Sequence, residues 1–133
     1  MQVISYVTFN GQCEAAFRFY EQSLGGKIEA MFPHAGTPME NHVPPEWRDK
    51  IMHARMRLGD GILMGSDAPP GRYEAPKGCW VHLGTKDPGE ADRIFQALSE
   101  NASIAMPIQK TFWASRFGML VDRFGTPWMV NCE

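Results

Sequence analysis

Asn10-Gly11-Gln12-Cys13-Glu14-Ala15-Ala16-Phe17-Arg18-Phe19-Tyr20-Glu21-Gln22-Ser23-Leu24-Gly25-Gly26 holds one amphipathic helix between two stops. Cys13, Ala16, Phe17, Tyr20 and Leu24 recur at steps of three and four, which lines one face of a helix, and Gly25-Gly26 supplies a left-handed residue to end it. Upstream, Gln2 to Phe9 is rich in β-branched and aromatic side chains and halts at Asn10-Gly11, so it reads as a strand closed by a turn. Downstream, Lys27 to Phe32 reads as a strand. Lys50 to Leu58 and Gly61 to Ser66 read as two more, joined by the tight Gly59-Asp60 connection.

The same order then recurs. Pro69-Pro70-Gly71 through Pro76 is turn-rich and suits a linker, and Gly78 to Thr85 is a strand. Asp87-Pro88-Gly89-Glu90 is a helix start, with Asp at the N-cap, Pro at the first helical position and Glu closing a capping box. Ala91, Ile94, Phe95, Leu98 and Ala102 give that helix its apolar stripe. Ser103 to Ile108, Ala114 to Asp122 and Thr126 to Cys132 complete the second set of strands. Glu14, Ala15, Phe19 and Ile28 precede Glu90, Ala91, Phe95 and Ile104 by 76 positions, a faint echo at residue level. The expectation is an α+β chain of two βαβββ modules, about 1–68 and 78–133, joined by a linker at about 69–77 within a single domain, 1–133. Each module is a curved mixed sheet with a helix on its convex face, and the concave faces are left to form a central cleft.

Composition narrows the partners. At 133 residues and 44% hydrophobic, the chain supports one buried core. A net charge of -2, with thirteen scattered Lys and Arg, leaves no basic surplus for nucleic acid. No apolar run is long enough for a membrane span and no signal sequence is evident, so a soluble cytoplasmic protein is expected. Cys13, Cys79 and Cys132 are odd in number and without CxxC spacing, which argues against disulfides and a cysteine zinc site. No Gly-rich strand-to-helix turn of the kind that cradles a nucleotide-like cofactor is present, and no cofactor is expected.

Period-two alternation divides Lys50 to Leu58 into an apolar face (Met52, Ala54, Met56, Leu58) and a mixed face (Ile51, His53, Arg55, Arg57). The apolar face should lie under the helix, which sends His53 and Arg55 to the cleft or to solvent. His53 is the candidate catalytic residue, as general base or anion partner; a hydrogen-bonded structural histidine is the rival reading. Arg55 suits a carboxylate or phosphate. Trp80 and His82 share a face, and Trp113 belongs to an aromatic and basic cluster with Phe112, Arg116 and Phe117 that suits cleft, core or dimer contact. His34 and His42 lie in a long loop, 33–49, of the kind that serves as lid, interface arm or plain surface. Asp67, Asp87 and Asp122 fall at turns or helix starts, where capping explains them.

Together with that order of elements, several stretches resemble the PhnB-like branch of the vicinal oxygen chelate superfamily, the glyoxalase, bleomycin-resistance and dioxygenase group. They are Asn10 to Ala16 with Phe19-Tyr20 and Leu24-Gly25-Gly26, Ile51-Met52-His53-Ala54, Leu63-Met64-Gly65-Ser66-Asp67, Phe112-Trp113, and Asp122 to Asn131. The resemblance implies a homodimer and a cleft in which the superfamily's enzymes hold a divalent metal with His and Glu on the first and last strand of each module. Counted from the two helix starts, those places fall on Ser5, Trp80, Met64 (or its same-face neighbour Ser66) and Met129. None is a His or a carboxylate, so no metal site is expected. The expected function is metal-independent binding of a small aromatic or anionic molecule by Ser5, His53, Arg55, Met64, Trp80, His82, Trp113 and Met129, by analogy with the drug-sequestering relatives. The alternatives are an enzyme, through acid-base chemistry at His53 or a relocated metal at His53 and His82, and a structural or regulatory dimer.

Overall fold

The computed structural model describes residues 1–133 and divides them into two compact units, Met1–Glu74 and Ala75–Glu133. The first contains β1 (Ser5–Phe9), α1 (Cys13–Leu24), β2 (Lys27–Pro33), β3 (Ile51–Leu58) and β4 (Gly61–Asp67). The second contains β5 (Val81–Thr85), α2 (Pro88–Leu98), β6 (Ser103–Gln109), β7 (Arg116–Val121) and β8 (Pro127–Cys132). Each unit is one four-stranded mixed sheet, ordered β1-β4-β3-β2 and β5-β8-β7-β6. In each, the first strand runs parallel to the last while the remaining neighbours are antiparallel. The βαβββ plan and the α+β class are therefore as expected from the sequence. No helix is long and apolar enough to cross a membrane.

In the first unit, α1 buries Cys13, Ala16, Phe17 and Tyr20 against one sheet face, where Val7, Phe9, Ala54, Met56 and Leu63 are also buried. Removing each large apolar side chain from water contributes about 1.5–3 kcal/mol, so this layer dominates the stability of the unit. The helix comes so close to β4 that a Cβ on Gly65 would stand 2.7 Å from the Val7 carbonyl oxygen and 3.0 Å from the Phe17 ring. Asp67, buried at the end of β4, fastens the layers: it accepts from the N–H of Cys13 at 2.9 Å and of Ile51 at 2.8 Å. Burial pushes the Cys13 thiol far above its ordinary pKa, and the charges of Asp67 and Glu14 add to the effect.

The second unit repeats the scheme with its own residues. Ala91, Ile94, Phe95 and Leu98 of α2 are buried, as are Leu120, Trp128, Val130 and Cys132 of the sheet. These helix positions match Cys13, Ala16, Phe17 and Tyr20 at a separation of 78 residues, whereas β1 and β5 match at 76. The residue echo at 76 thus fails inside the helices: Ala15 is exposed where Ala91 is buried. The stripe of α2 also stops at Leu98, because Ser99 caps the helix and Asn101 turns left-handed at φ 55, leaving Ala102 outside. The capping box is rearranged. Asp87 accepts from Gly89 N–H at 3.0 Å, but Glu90 takes the Thr85 hydroxyl, and that hydroxyl oxygen receives the Asp87 N–H.

The long loop is pinned to its own unit. His34 is buried, and its Nδ1 and its backbone N–H both donate to the Lys50 carbonyl, at 2.9 and 3.0 Å, which fixes the proton on Nδ1. Trp47 donates from Nε1 to the Ala68 carbonyl at 3.1 Å and lies under the Lys50 ammonium. His34 is therefore the structural histidine of the loop, while His42 is exposed.

Candidate functional site

Because helix and sheet bury one face, strand alternation places the remaining side chains on the other. On the first sheet this uncovered face carries Tyr6 and Thr8 from β1, Met64 and Ser66 from β4, and His53 and Arg55 from β3. The pairings Tyr6 with Met64, Arg55 with Met64, and Phe32 with His53 fix the register. The Tyr6 hydroxyl reaches across β4 to His53 Nδ1 at 3.2 Å, and the two rings stack with centroids 5.8 Å apart and planes inclined at 25°. Beside His53, Phe32 is 50% exposed, as is Tyr6, so this aromatic platform is open to a ligand.

Charge sits next to the platform. At a bulge between Ile28 and Ala30, Glu29 accepts from Arg55 Nε at 3.0 Å and from Arg57 Nε at 3.1 Å. Both arginines keep their terminal amino groups free of protein partners. The hydrogen bond from Arg55, reinforced by Arg57, holds the Glu29 carboxyl below the ordinary glutamate pKa. One carboxylate thus fixes two guanidiniums by their Nε edges and leaves their forked ends to act on an anion.

On the second sheet the corresponding face carries His82 opposite Met129, then Met119, and Asn131 opposite Phe117. Trp113 packs edge-on against Phe117 at 5.3 Å and against Phe112 at 4.8 Å, while Phe112 itself is 97% exposed. Asn131 keeps a buried Oδ1 with no hydrogen-bond partner. Arg116 leaves this cluster for the helix side, where its Nε meets Asp92 of α2 at 3.0 Å.

Of the residues singled out in the sequence, His53, Arg55 and Met64 come together on the first sheet, and His82, Met129 and Trp113 lie on the uncovered side of the second. Two do not fit their expected positions. Ser5 falls on the covered side of β1, with Val7 and Phe9, and Trp80 precedes β5 altogether. The same count back from each helix start overshoots the uncovered Tyr6 and His82, and because three residues separate β1 from α1 but two separate β5 from α2, no single count serves both strands. The pairs across the parallel strands are Tyr6 with Met64 and His82 with Met129. Tyr6 was legible from the alternation of Tyr6 and Thr8 against Val7 and Phe9. Glu29 and Phe32 carried no comparable signal, since their neighbours come from strand pairing. Asp67, Asp87 and Asp122 are occupied in capping or turn bonds.

A two-unit βαβββ fold with an open sheet face in each unit defines a known class. The model of the Glyoxalase/Bleomycin resistance protein/Dioxygenase superfamily matches residues 3–130, and the chain belongs to that superfamily. Among individual proteins, PA1353 from Pseudomonas aeruginosa is 49% identical, with a TM-score of 0.91 over 100% of this chain and 98% of that one. Protein YjdN of Escherichia coli (strain K12) is 31% identical, covering 98% of this chain and 95% of YjdN. The PhnB protein from Bacillus cereus shares the fold at 18% identity and a TM-score of 0.82 over 100% of both chains.

The superfamily's metal chemistry depends on the donors that these strands present. Strand pairing offers a phenol and a thioether, Tyr6 and Met64, in one unit and an imidazole and a thioether, His82 and Met129, in the other. A divalent ion that polarises substrate oxygens needs imidazole and carboxylate donors, and one imidazole among these four does not supply them. No three His, Cys, Asp or Glu side chains gather as a potential metal site. The donor set does not fit such an ion.

Proposed function

We propose that this protein binds a small aromatic or anionic molecule without a metal, on the uncovered face of the first sheet, with His53, Arg55 and Met64 as contacts and Tyr6 in the place expected of Ser5. The observation that carries the reading is the open Tyr6–His53 stack beside two guanidiniums whose forked ends have no protein partner. Aromatic platforms and guanidinium forks are efficient recognition groups because each offers a large or charge-assisted contact with little freedom to lose. His82, Met129 and Trp113 form a second ligand-facing set on the other sheet, and Trp80 flanks it. The protein acts as a cytoplasmic homodimer in this reading, which light scattering tests by a mass of twice the chain.

Thermal-shift screening against planar aromatic and anionic compounds tests binding. A ligand at 100 times its dissociation constant adds about 2.7 kcal/mol of stability, and the gain should shrink when His53 or Arg55 is replaced by Ala. Metal analysis of protein purified without chelator should find no stoichiometric divalent ion. Stoichiometric metal lost in His53→Ala or His82→Ala would replace this reading with a metal-dependent one.

A further inference from the structure

We infer that the ligand of the first sheet is an aromatic oxyanion whose negative group stands a short arm beyond the ring, an arylalkanoate rather than a benzoate or a neutral arene. The inference rests on the binding reading above and adds the chemical class. Three observations on one face carry it. First, aromatic groups share this face: Tyr6 stacks on His53 at 5.8 Å, and the half-exposed Phe32 is paired with His53 on β2. A flat ring is the surface that such a platform prefers. Second, Arg55 follows His53 by two residues on the same face, which sets the root of its side chain about 6.4–6.8 Å along the strand from the platform. A ring and an anionic group held by these two places need a spacer, and a carboxylate bonded directly to the ring is too short.

Third, the cations outnumber the anion. Glu29 neutralises one of the two guanidiniums, and Lys27, opposite Arg57 on β2, adds positive charge at the outer end. Arg55 and Glu29 are partly exposed and Arg57 half-exposed, which leaves the free amino groups within reach of a bound molecule. Glu29 is a positioning residue here: by engaging both Nε atoms it fixes the planes of the forks while leaving their ends for the ligand. An aromatic cation, which the rings alone would accept, meets repulsion from the arginines.

Calorimetric titration of the wild-type protein with 3-phenylpropanoate, its neutral amide, and benzoate tests the inference, and Arg55→Gln provides the second arm. The expected result is that phenylpropanoate binds at least about tenfold more tightly than the amide, in keeping with a charge-assisted hydrogen bond, and more tightly than benzoate. Arg55→Gln should weaken the acid far more than the amide and so remove most of the preference between them. Equal binding of acid and amide would overturn the oxyanion assignment and leave the small-molecule reading standing. Failure of all three compounds, together with an empty thermal-shift panel, would overturn both.

Discussion

Asp122 shows how completely a single side chain can be committed to structure. Its Oδ1 accepts from the backbone N–H of Phe124 at 2.8 Å and of Thr126 at 3.0 Å, and its Oδ2 accepts from the Trp128 indole at 2.8 Å, so one buried carboxylate ties the β7–β8 turn to the largest core residue. Asp122→Ala strands these donors and should lower stability by about 3 kcal/mol, seen as a fall in the urea midpoint without a change in slope. Cys13 answers to pH instead. Its folded pKa is raised, so its contribution is fully present below the ordinary thiol pKa of about 8.5 and is lost as pH rises beyond that, because only the unfolded chain then ionises. Stability curves of Cys13→Ala should lack that part of the alkaline decline; an identical decline would contradict the assignment. The local roles of Asp87 and Asp122 were legible because turns and helix starts are local, whereas Asp67 spends its carboxylate on distant backbone, the N–H groups of Cys13 and Ile51. The contact of Glu29 with two arginines was not, since a bulge and the pairing of β2 with β3 create it.

At the scale of elements, both helices stand on glycines. A Cβ on Gly118 of β7 would lie 2.6 Å from the Phe95 ring and 2.9 Å from the Ile108 Cα, with backbone on one side and a buried ring on the other. Gly118→Ala should therefore cost about 1–3 kcal/mol through overpacking. Gly61→Ala, where the nearest atom is the Leu58 carbonyl oxygen at 3.4 Å and φ is not positive, serves as the mild control, and equal losses from both in thermal melts would contradict the close approach of α2. Helices and strands were readable from the sequence because their periods, 3.6 and 2, are set within each segment. The face of β1 was misread by one residue because the count from α1 ran through a connection, whereas His82 of β5 lies on the face expected of it. Alternation inside β1 itself, with Val7 and Phe9 inward, carries the correct answer.

For the whole molecule, the repeated plan gives two sheets, each with one side sealed by its helix and the other holding chemistry. The fold was legible because two copies of one order of elements are hard to mistake, and superfamily membership follows from it. The ligand was not, since the donors that announce a metal enzyme are replaced by a phenol, thioethers and a lone imidazole, and these specify no particular molecule. In the function proposed above, the uncovered face of the first sheet is a binding surface. Its most direct measurement is an NMR titration of isotopically labelled protein with planar aromatic and anionic fragments. Binding fragments should shift the resonances of Tyr6, His53, Arg55 and Met64 together and leave Phe17 and Ala54, on the helix side, in place. Fragments that bind while perturbing only residues off this face, or a panel from which nothing binds, would contradict it.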